Sequence, residues 1–267
     1  MTGSSSRVAL VTGAARGIGA ATVDALCLRG YRVVAVDSCA ADTDRAQLGY
    51  DLATPDQLGA VAERHPGQVL PVVADVRDQP ALAAAAQAAL DRFGRLDAAV
   101  AAAAVLTGGR PQWETSEAEL RHLLDVDLIG VWHTAAVTVP LMLARPEPRD
   151  GRFVAVSSAA GVTGLFGLSA YSAAKHAVVG LVRGLAEDLA GTGVTAVAVA
   201  PGSTMTDMLH ATATLYGLED VDSFAGSSLL RRIQDPSDVA EVIAFCCSPE
   251  AAPLNSSVIP AGGGFRP

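Results

Sequence analysis

Short apolar runs alternate with longer stretches of helical period along the whole chain. Residues 8–12, 32–37, 69–74, 98–101, 152–157, 194–200 and 257–260 are nearly unbroken apolar runs, the pattern of strands buried on both faces. Between them, 17–29, 54–64, 79–93, 116–144, 169–190 and 236–247 carry apolar positions at helical spacing. Ser116 with Glu119 predicts a capping box, and Asp235 before Pro236 predicts a capped start with proline in the first turn. Such alternation predicts βαβ units and one parallel sheet with helices on both faces, an α/β fold. No Pro-, Gly- or Ser-rich linker divides the chain, so residues 1–267 read as a single domain. The rhythm breaks at 203–232, too long for an ordinary βα loop and holding Met205, Met208, Leu209, Leu215, Tyr216 and Phe224. At the carboxyl end of a strand, such a segment is a candidate lid over a ligand.

Composition narrows the function classes. Half the residues are hydrophobic but only 4% are aromatic, so the core must be built from Ala, Val and Leu. A net charge of −9 argues against nucleic acid as a partner, because phosphate backbones need a basic face. No apolar run reaches the roughly 18 residues of a membrane span, and residues 1–6 lack the charged-then-apolar order of a signal peptide. A soluble, cytoplasmic protein is expected, with no membrane partner. Cys27, Cys39, Cys246 and Cys247 have neither metal-ligand nor disulfide-framework spacing, the five histidines are scattered, and no metal is expected. Asn255-Ser256-Ser257 matches a glycosylation acceptor by letter alone.

The candidate chemistry begins at Gly13-Ala14-Ala15-Arg16-Gly17-Ile18-Gly19, between the first strand and the first helix. Glycines there allow a tight turn and let a pyrophosphate approach the helix N-terminus, where free N–H groups and the dipole favour anions. Asp37 ends the second strand. Its carboxylate suits the ribose hydroxyls of NAD and repels the 2′-phosphate of NADP, against the mild counter-signal of Arg16. Asp75, followed by Val76 after the third strand, is either an adenine contact or a helix cap. Lys175 is the only lysine among nineteen basic residues, and it follows Tyr171 by four positions. On a helix that spacing puts both side chains on one face, about 6 Å apart at Cβ. A nearby ammonium favours phenolate, which makes Tyr171 a candidate general acid/base.

The glycine spacing, Tyr171-x-x-x-Lys175 and Ser158 thirteen residues before the tyrosine together resemble the short-chain dehydrogenase/reductase family, from about residue 7 to 263. The resemblance implies a Rossmann-like doubly wound sheet of about seven strands, in a homotetramer, that moves hydride between NAD and an alcohol or ketone. By position it implies Tyr171 as acid/base, Lys175 as its partner and nicotinamide-ribose ligand, and Ser158 as donor to the carbonyl oxygen. Ala102 falls in the turn after strand four, and Pro201, Gly202, Thr204 and Thr206 in the segment that holds carboxamide and pyrophosphate. Val100-Ala101-Ala102-Ala103, Gly108-Gly109-Arg110-Pro111 with Trp113-Glu114, Leu215-Tyr216-Gly217-Leu218 and the run from Ala173 to Leu181 are similar to the mycofactocin-coupled subgroup. That likeness implies NAD held without exchange and electrons leaving to a mycofactocin redox carrier. Two departures stand out. Ala101-Ala102-Ala103-Ala104 replaces an asparagine-rich turn, and Asp127 occupies the family's fourth catalytic position in place of asparagine. They favour a non-catalytic NAD-binding redox sensor as a competing reading, and an exchangeable-NAD ketone reductase is the third. Trp132 and His133 fall on a helix that in the family lines a subunit interface, His176 points off the catalytic face, and Leu165, Phe166 and Leu168 line either an apolar substrate pocket or the core.

Overall fold

The computed structural model describes residues 6–40 and 48–266; the leader reading of residues 1–6 therefore lies outside the described residues except at Ser6. Seven parallel strands form one sheet: β1 (Val8–Thr12), β2 (Arg32–Asp37), β3 (Val69–Val73), β4 (Ala98–Ala101), β5 (Arg152–Val156), β6 (Thr195–Pro201) and β7 (Val258–Ala261). Their order is β3-β2-β1-β4-β5-β6-β7, with Val11 opposite both Ala35 and Val100. The connection from β3 passes over to β4 on the far side of β1, so the strand order reverses between β1 and β4. In an open α/β sheet the ligand crevice lies outside the carboxyl ends at such a switch.

The helices are α1 (Gly17–Leu28), α2 (Pro55–Glu63), α3 (Gln79–Phe93), α4 (Glu117–Leu124), α5 (Gly130–Leu143), α6 (Ser169–Asp188), α7 (Asp207–Leu215) and α8 (Pro236–Cys246). Alternation of side chains along the strands divides the core into two layers. Ala9, Val11, Val33, Ala35 and Val100 face α1, α2 and α8; Val8, Leu10, Val34, Val36 and Ala99 face α3, α5 and α6. Alanines at many of these positions let helix backbones approach the sheet closely, and Phe153 is the one bulky ring buried in the second layer. Ser116 and Glu119 form the expected capping box, and Pro236 opens α8 after Asp235, whose N–H is accepted by Asp238.

One expected element differs in kind. The predicted single helix over 116–144 contains a π-helical turn, Asp125–Ile129, between α4 and α5. The wider turn is a hydrogen-bonding irregularity that apolar periodicity does not encode, and such turns often sit at functional sites. Within Glu117–Leu143, an eighteen-residue segment of mean hydropathy 1.5 is long and apolar enough to cross a bilayer by length and composition, a feature the count of apolar runs missed. Half of it is buried against the sheet and neighbouring helices, the behaviour of a core helix.

Candidate active site

The carboxyl ends of β1, β4, β5 and β6 open into one cavity of about 970 Å³. The turn after β1 forms its floor. Gly13 and Gly17 have φ of +67° and +56°, where a side chain would be strained, and a Cβ on Gly19 would lie 1.9 Å from the Gly13 carbonyl oxygen. A Cβ on Gly13 would come within 2.8 Å of Ala103, so this loop is held against the turn after β4. The Thr12 hydroxyl secures that turn, accepting the N–H groups of Ala102 and Ala103 at 3.1 and 3.3 Å. No side chain caps the amino end of α1, which leaves its first N–H groups facing the cavity for an anion.

Gly13, Arg16, Gly17, Ile18, Gly19, Asp37, Asp75, Val76, Ala102, Pro201, Gly202, Thr204 and Thr206 all line the cavity, as do Ser158, Tyr171 and Lys175. Asp37 accepts from Ala15 N and Cys39 N, both at 3.1 Å, which fixes its carboxylate at the end of β2. Asp75 is neither a simple helix cap nor an open acceptor. It accepts from the backbone N and the guanidinium of Arg77, and although burial pushes its carboxyl up, these bonds hold it below its ordinary range. Asp78 caps α3 instead. Arg16 is engaged elsewhere than expected: it pairs with Asp207 at 2.8 Å and donates to the Asp51 carbonyl at 2.8 Å. Thr206 caps α7, and Thr204 donates to the Gly202 carbonyl.

Across the cavity, Ser158 follows the end of β5 and Tyr171 and Lys175 lie on the first turns of α6. Ser158 Oγ accepts Ala160 N at 3.1 Å, and the serine favours the ionised form of the Tyr171 phenol. Lys175 Nζ stands 5.5 Å from the Tyr171 ring centre and donates to the Val156 carbonyl at 3.4 Å. Asp127 does not line the cavity. It lies behind Lys175, with Oδ2 3.1 Å from Nζ and Oδ1 accepting Val105 N at 2.9 Å. Burial pushes the Tyr171 phenol up, Lys175 pulls it down, Asp127 pushes it up again, and the balance lies above the ordinary phenol value. The downward shift expected from Lys175 alone is therefore reversed: removal of the phenol from water outweighs one lysine. Burial alone would lower the Lys175 ammonium, but Asp127 and then Tyr171 hold it above its ordinary value.

Leu165, Phe166 and Leu168 do line the cavity, and Leu168 is also packed among buried apolar residues. Met205, Met208, Leu215, Tyr216 and Phe224 face them from 203–232, and the Tyr216 hydroxyl donates to the Phe166 carbonyl at 2.6 Å. His176 bonds the Ser172 carbonyl of its own helix, and His133 bonds the Val76 carbonyl. Sequence reasoning missed Tyr50. It lines the cavity beside Leu52, its hydroxyl accepts Leu106 N at 2.9 Å, and burial pushes its phenol well above the ordinary value. The signal was present: seventeen residues separate β2 from α2, and Leu48, Tyr50 and Leu52 are the large apolar side chains of that connection.

Comparison with known proteins agrees with this architecture. Residues 7–215 match the family model for short chain dehydrogenase. The chain is 35% identical to (−)-trans-carveol dehydrogenase of Rhodococcus erythropolis, covering 97% of this chain and 96% of that protein. It is 29% identical to levodione reductase of Leifsonia aquatica, over 97% of this chain and 93% of the relative. Among solved structures, carveol dehydrogenase from Mycobacterium avium in complex with NAD superposes with a TM-score of 0.89 at 30% identity, covering 97% and 96% of the two chains. With residues 7–215 matching the family model and relatives matched along nearly the full length, the chain belongs to the short-chain dehydrogenase family and is an oxidoreductase of the alcohol dehydrogenase and ketoreductase type.

Proposed function

We propose that the protein moves hydride between NAD and a hydrophobic secondary alcohol or ketone, with Tyr171 as acid/base. The observation that carries this reading is the meeting of two halves in one cavity: the glycine turn with Asp37 on one side, Ser158, Tyr171 and Lys175 on the other. NAD fits the residues present. The uncapped end of α1 and the glycine cradle suit its pyrophosphate, Asp37 suits its adenosine ribose, and Lys175 suits the ribose beside the reacting ring. When bound, the nicotinamide supplies the hydride chemistry. The protein's own part is positional and protonic. Ser158 has its oxygen anchored by Ala160 N–H, which leaves its hydrogen to donate to an oxyanion forming beside Tyr171. Ionised Tyr171 removes the alcohol proton, and neutral Tyr171 returns it to a carbonyl oxygen. The substrate end of the cavity offers Leu165, Phe166, Met208, Leu215 and Tyr216, which favours apolar alcohols; the similar carveol dehydrogenase and levodione reductase carry names of that substrate class.

Segment 203–232 serves as a lid, and Tyr50 and Leu52 cover the cavity from the opposite connection. Arg16 ties the two covers together through Asp207 and the Asp51 carbonyl. Such closure supports NAD that does not exchange freely and is reoxidised in place by a mycofactocin-type carrier. Homotetramer formation is supported by Ile129 and Trp132, large apolar side chains left exposed on one helix of the protomer.

The test is to purify the protein without added cofactor, denature it and assay released NAD(H). Stoichiometric NAD surviving dialysis is the expected result. Reversible binding to an empty protein would leave an exchangeable-NAD reductase, and no binding would overturn the oxidoreductase mechanism in favour of a decayed site. Asp37→Ser should lower the kcat/KM ratio for NAD over NADP at least about tenfold, because a hydrogen bond to a charged acceptor contributes about 1.5–3 kcal/mol. An unchanged ratio, measured with both cofactors in reconstituted protein, would remove Asp37 from cofactor choice.

A further inference from the structure

Asp127 and Lys175 are almost wholly withdrawn from solvent, their side chains 0% and 1% exposed, with 3.1 Å between Oδ2 and Nζ. The carboxylate is held in place: the π-helical turn carries it inward and Val105 N–H binds its other oxygen. Nζ is thus much closer to this carboxylate than to the Tyr171 ring centre, 5.5 Å away. A third group near so close a pair meets the field of a dipole, which falls off faster than that of a lone ammonium.

Among the described residues, no other charge around the phenol takes over. Tyr50, approaching from the connection after β2, is a partly buried, neutral phenol that interacts with both Asp127 and Tyr171. His122 on α4 is buried and acts on Asp127 from behind. Arg16 is paired with Asp207. Ser158 is neutral and favours the phenolate only through its hydroxyl. His176, next to Lys175 on α6, bonds its own helix.

We infer that Asp127 is a positioning residue that ties up the charge of Lys175, so that the Tyr171 phenolate draws its main support from the positively charged ring of oxidised cofactor. The inference rests on Tyr171 being the acid/base proposed above. Lysine is then kept as an ammonium for holding ribose and orienting the phenol, while its power to ionise that phenol is restrained. With oxidised cofactor in place Tyr171 becomes a base for alcohol; with reduced cofactor it stays an acid for carbonyl. The protonation state of the tyrosine thereby follows the redox state of the cofactor.

The experiment is an ultraviolet titration of phenolate in the NAD-loaded protein, with Tyr171→Phe subtracted to remove Tyr31, Tyr50 and Tyr216. It is repeated after the cofactor is reduced with dithionite, and with Asp127→Asn. Removing the carboxylate's charge should move the Tyr171 midpoint acid by about one pH unit, giving about tenfold more phenolate below both midpoints. The pH limb of kcat/KM for alcohol oxidation should move in the same direction. An unchanged midpoint would overturn the inference. A move to alkaline pH would also overturn it, since Asp127 would then be acting mainly to keep Lys175 charged. Should Asp127→Asn fail to fold, the wild-type protein decides. A Tyr171 midpoint well below the ordinary phenol value of about 10 with reduced cofactor would overturn the inference, and one at or above it would support it. Full turnover by Tyr171→Phe would instead remove the acid/base assignment itself, and so separates failure of that reading from failure of this one.

Discussion

Tyr171→Phe is expected to lower kcat/KM for alcohol oxidation by about 10²–10⁴, the range that a positioned proton donor or acceptor supplies. The ring itself is buried and packed with Val105, Leu106, Val126 and Leu168, and phenylalanine keeps that packing. What is lost is the hydroxyl alone, so stability should fall by only about 1 kcal/mol. The bound NAD content should stay unchanged, because the glycine turn, Asp37 and Lys175 are untouched. The pH limb belonging to the phenol should vanish from the residual rate. Stopped-flow measurement of hydride transfer, read alongside cofactor content and melting temperature, checks all three points. A variant that retains its rate with NAD bound would require another acid/base, and the cavity's other phenols are Tyr50 and Tyr216.

Lys175→Met should be the most destabilising single change in the site. Methionine fills similar volume, but it leaves Asp127 fully buried with its charge uncompensated, a defect that costs about 3–5 kcal/mol. The pH dependence has a definite sign. Burial already pushes the Asp127 carboxyl above its ordinary value against the pull of Lys175, and removing that pull pushes it higher. A group raised in the folded state contributes stability that is present below its unfolded value and is lost as pH rises through its folded value. The variant should therefore be closest to wild type in mild acid and lose stability progressively toward neutral pH. Adding Asp127→Asn should recover most of the loss, since removing both members of a buried pair is often near neutral. Chemical denaturation of the two single variants and the double variant, across that pH range, completes the cycle. Equal losses for Lys175→Met at all pH values would show that Asp127 is not ionised in the native protein.

Apart from α7, which lies inside the segment 203–232 read only as an insertion, strand and helix identities were legible because burial imposes a period on the chain. Both faces of this sheet are covered, so its strands are solid apolar runs, and its helices show one apolar stripe each. Boundaries moved by only a residue or so, as at β3 and β6, where chain ends of elements have little packing to declare themselves. The glycine turn was legible for another reason: an atom added at Gly19 has no space, so the residue type itself reports close backbone approach. Lys175 declared itself by being alone of its kind. By contrast, the π-helical turn at Asp125 was silent, because a single extra residue in a helical turn leaves the apolar pattern almost unchanged. The partners of Arg16 and Asp75 were silent as well. Asp207 lies 191 residues from Arg16, and nothing local in the chain links them.

By itself, then, the sequence determined the layered α/β architecture, the place of the dinucleotide turn and the tyrosine–lysine pair, because each depends on periodicity or on residues a few positions apart. Tertiary structure alone decided what surrounds them. It set Asp127 against Lys175 in a dry pocket, engaged Arg16 with the segment over the cavity, brought Tyr50 into the site and left Tyr171 harder to ionise than an exposed phenol. These outcomes depend on distance through space and on exclusion of water, and the order of residues carries neither until the chain is folded.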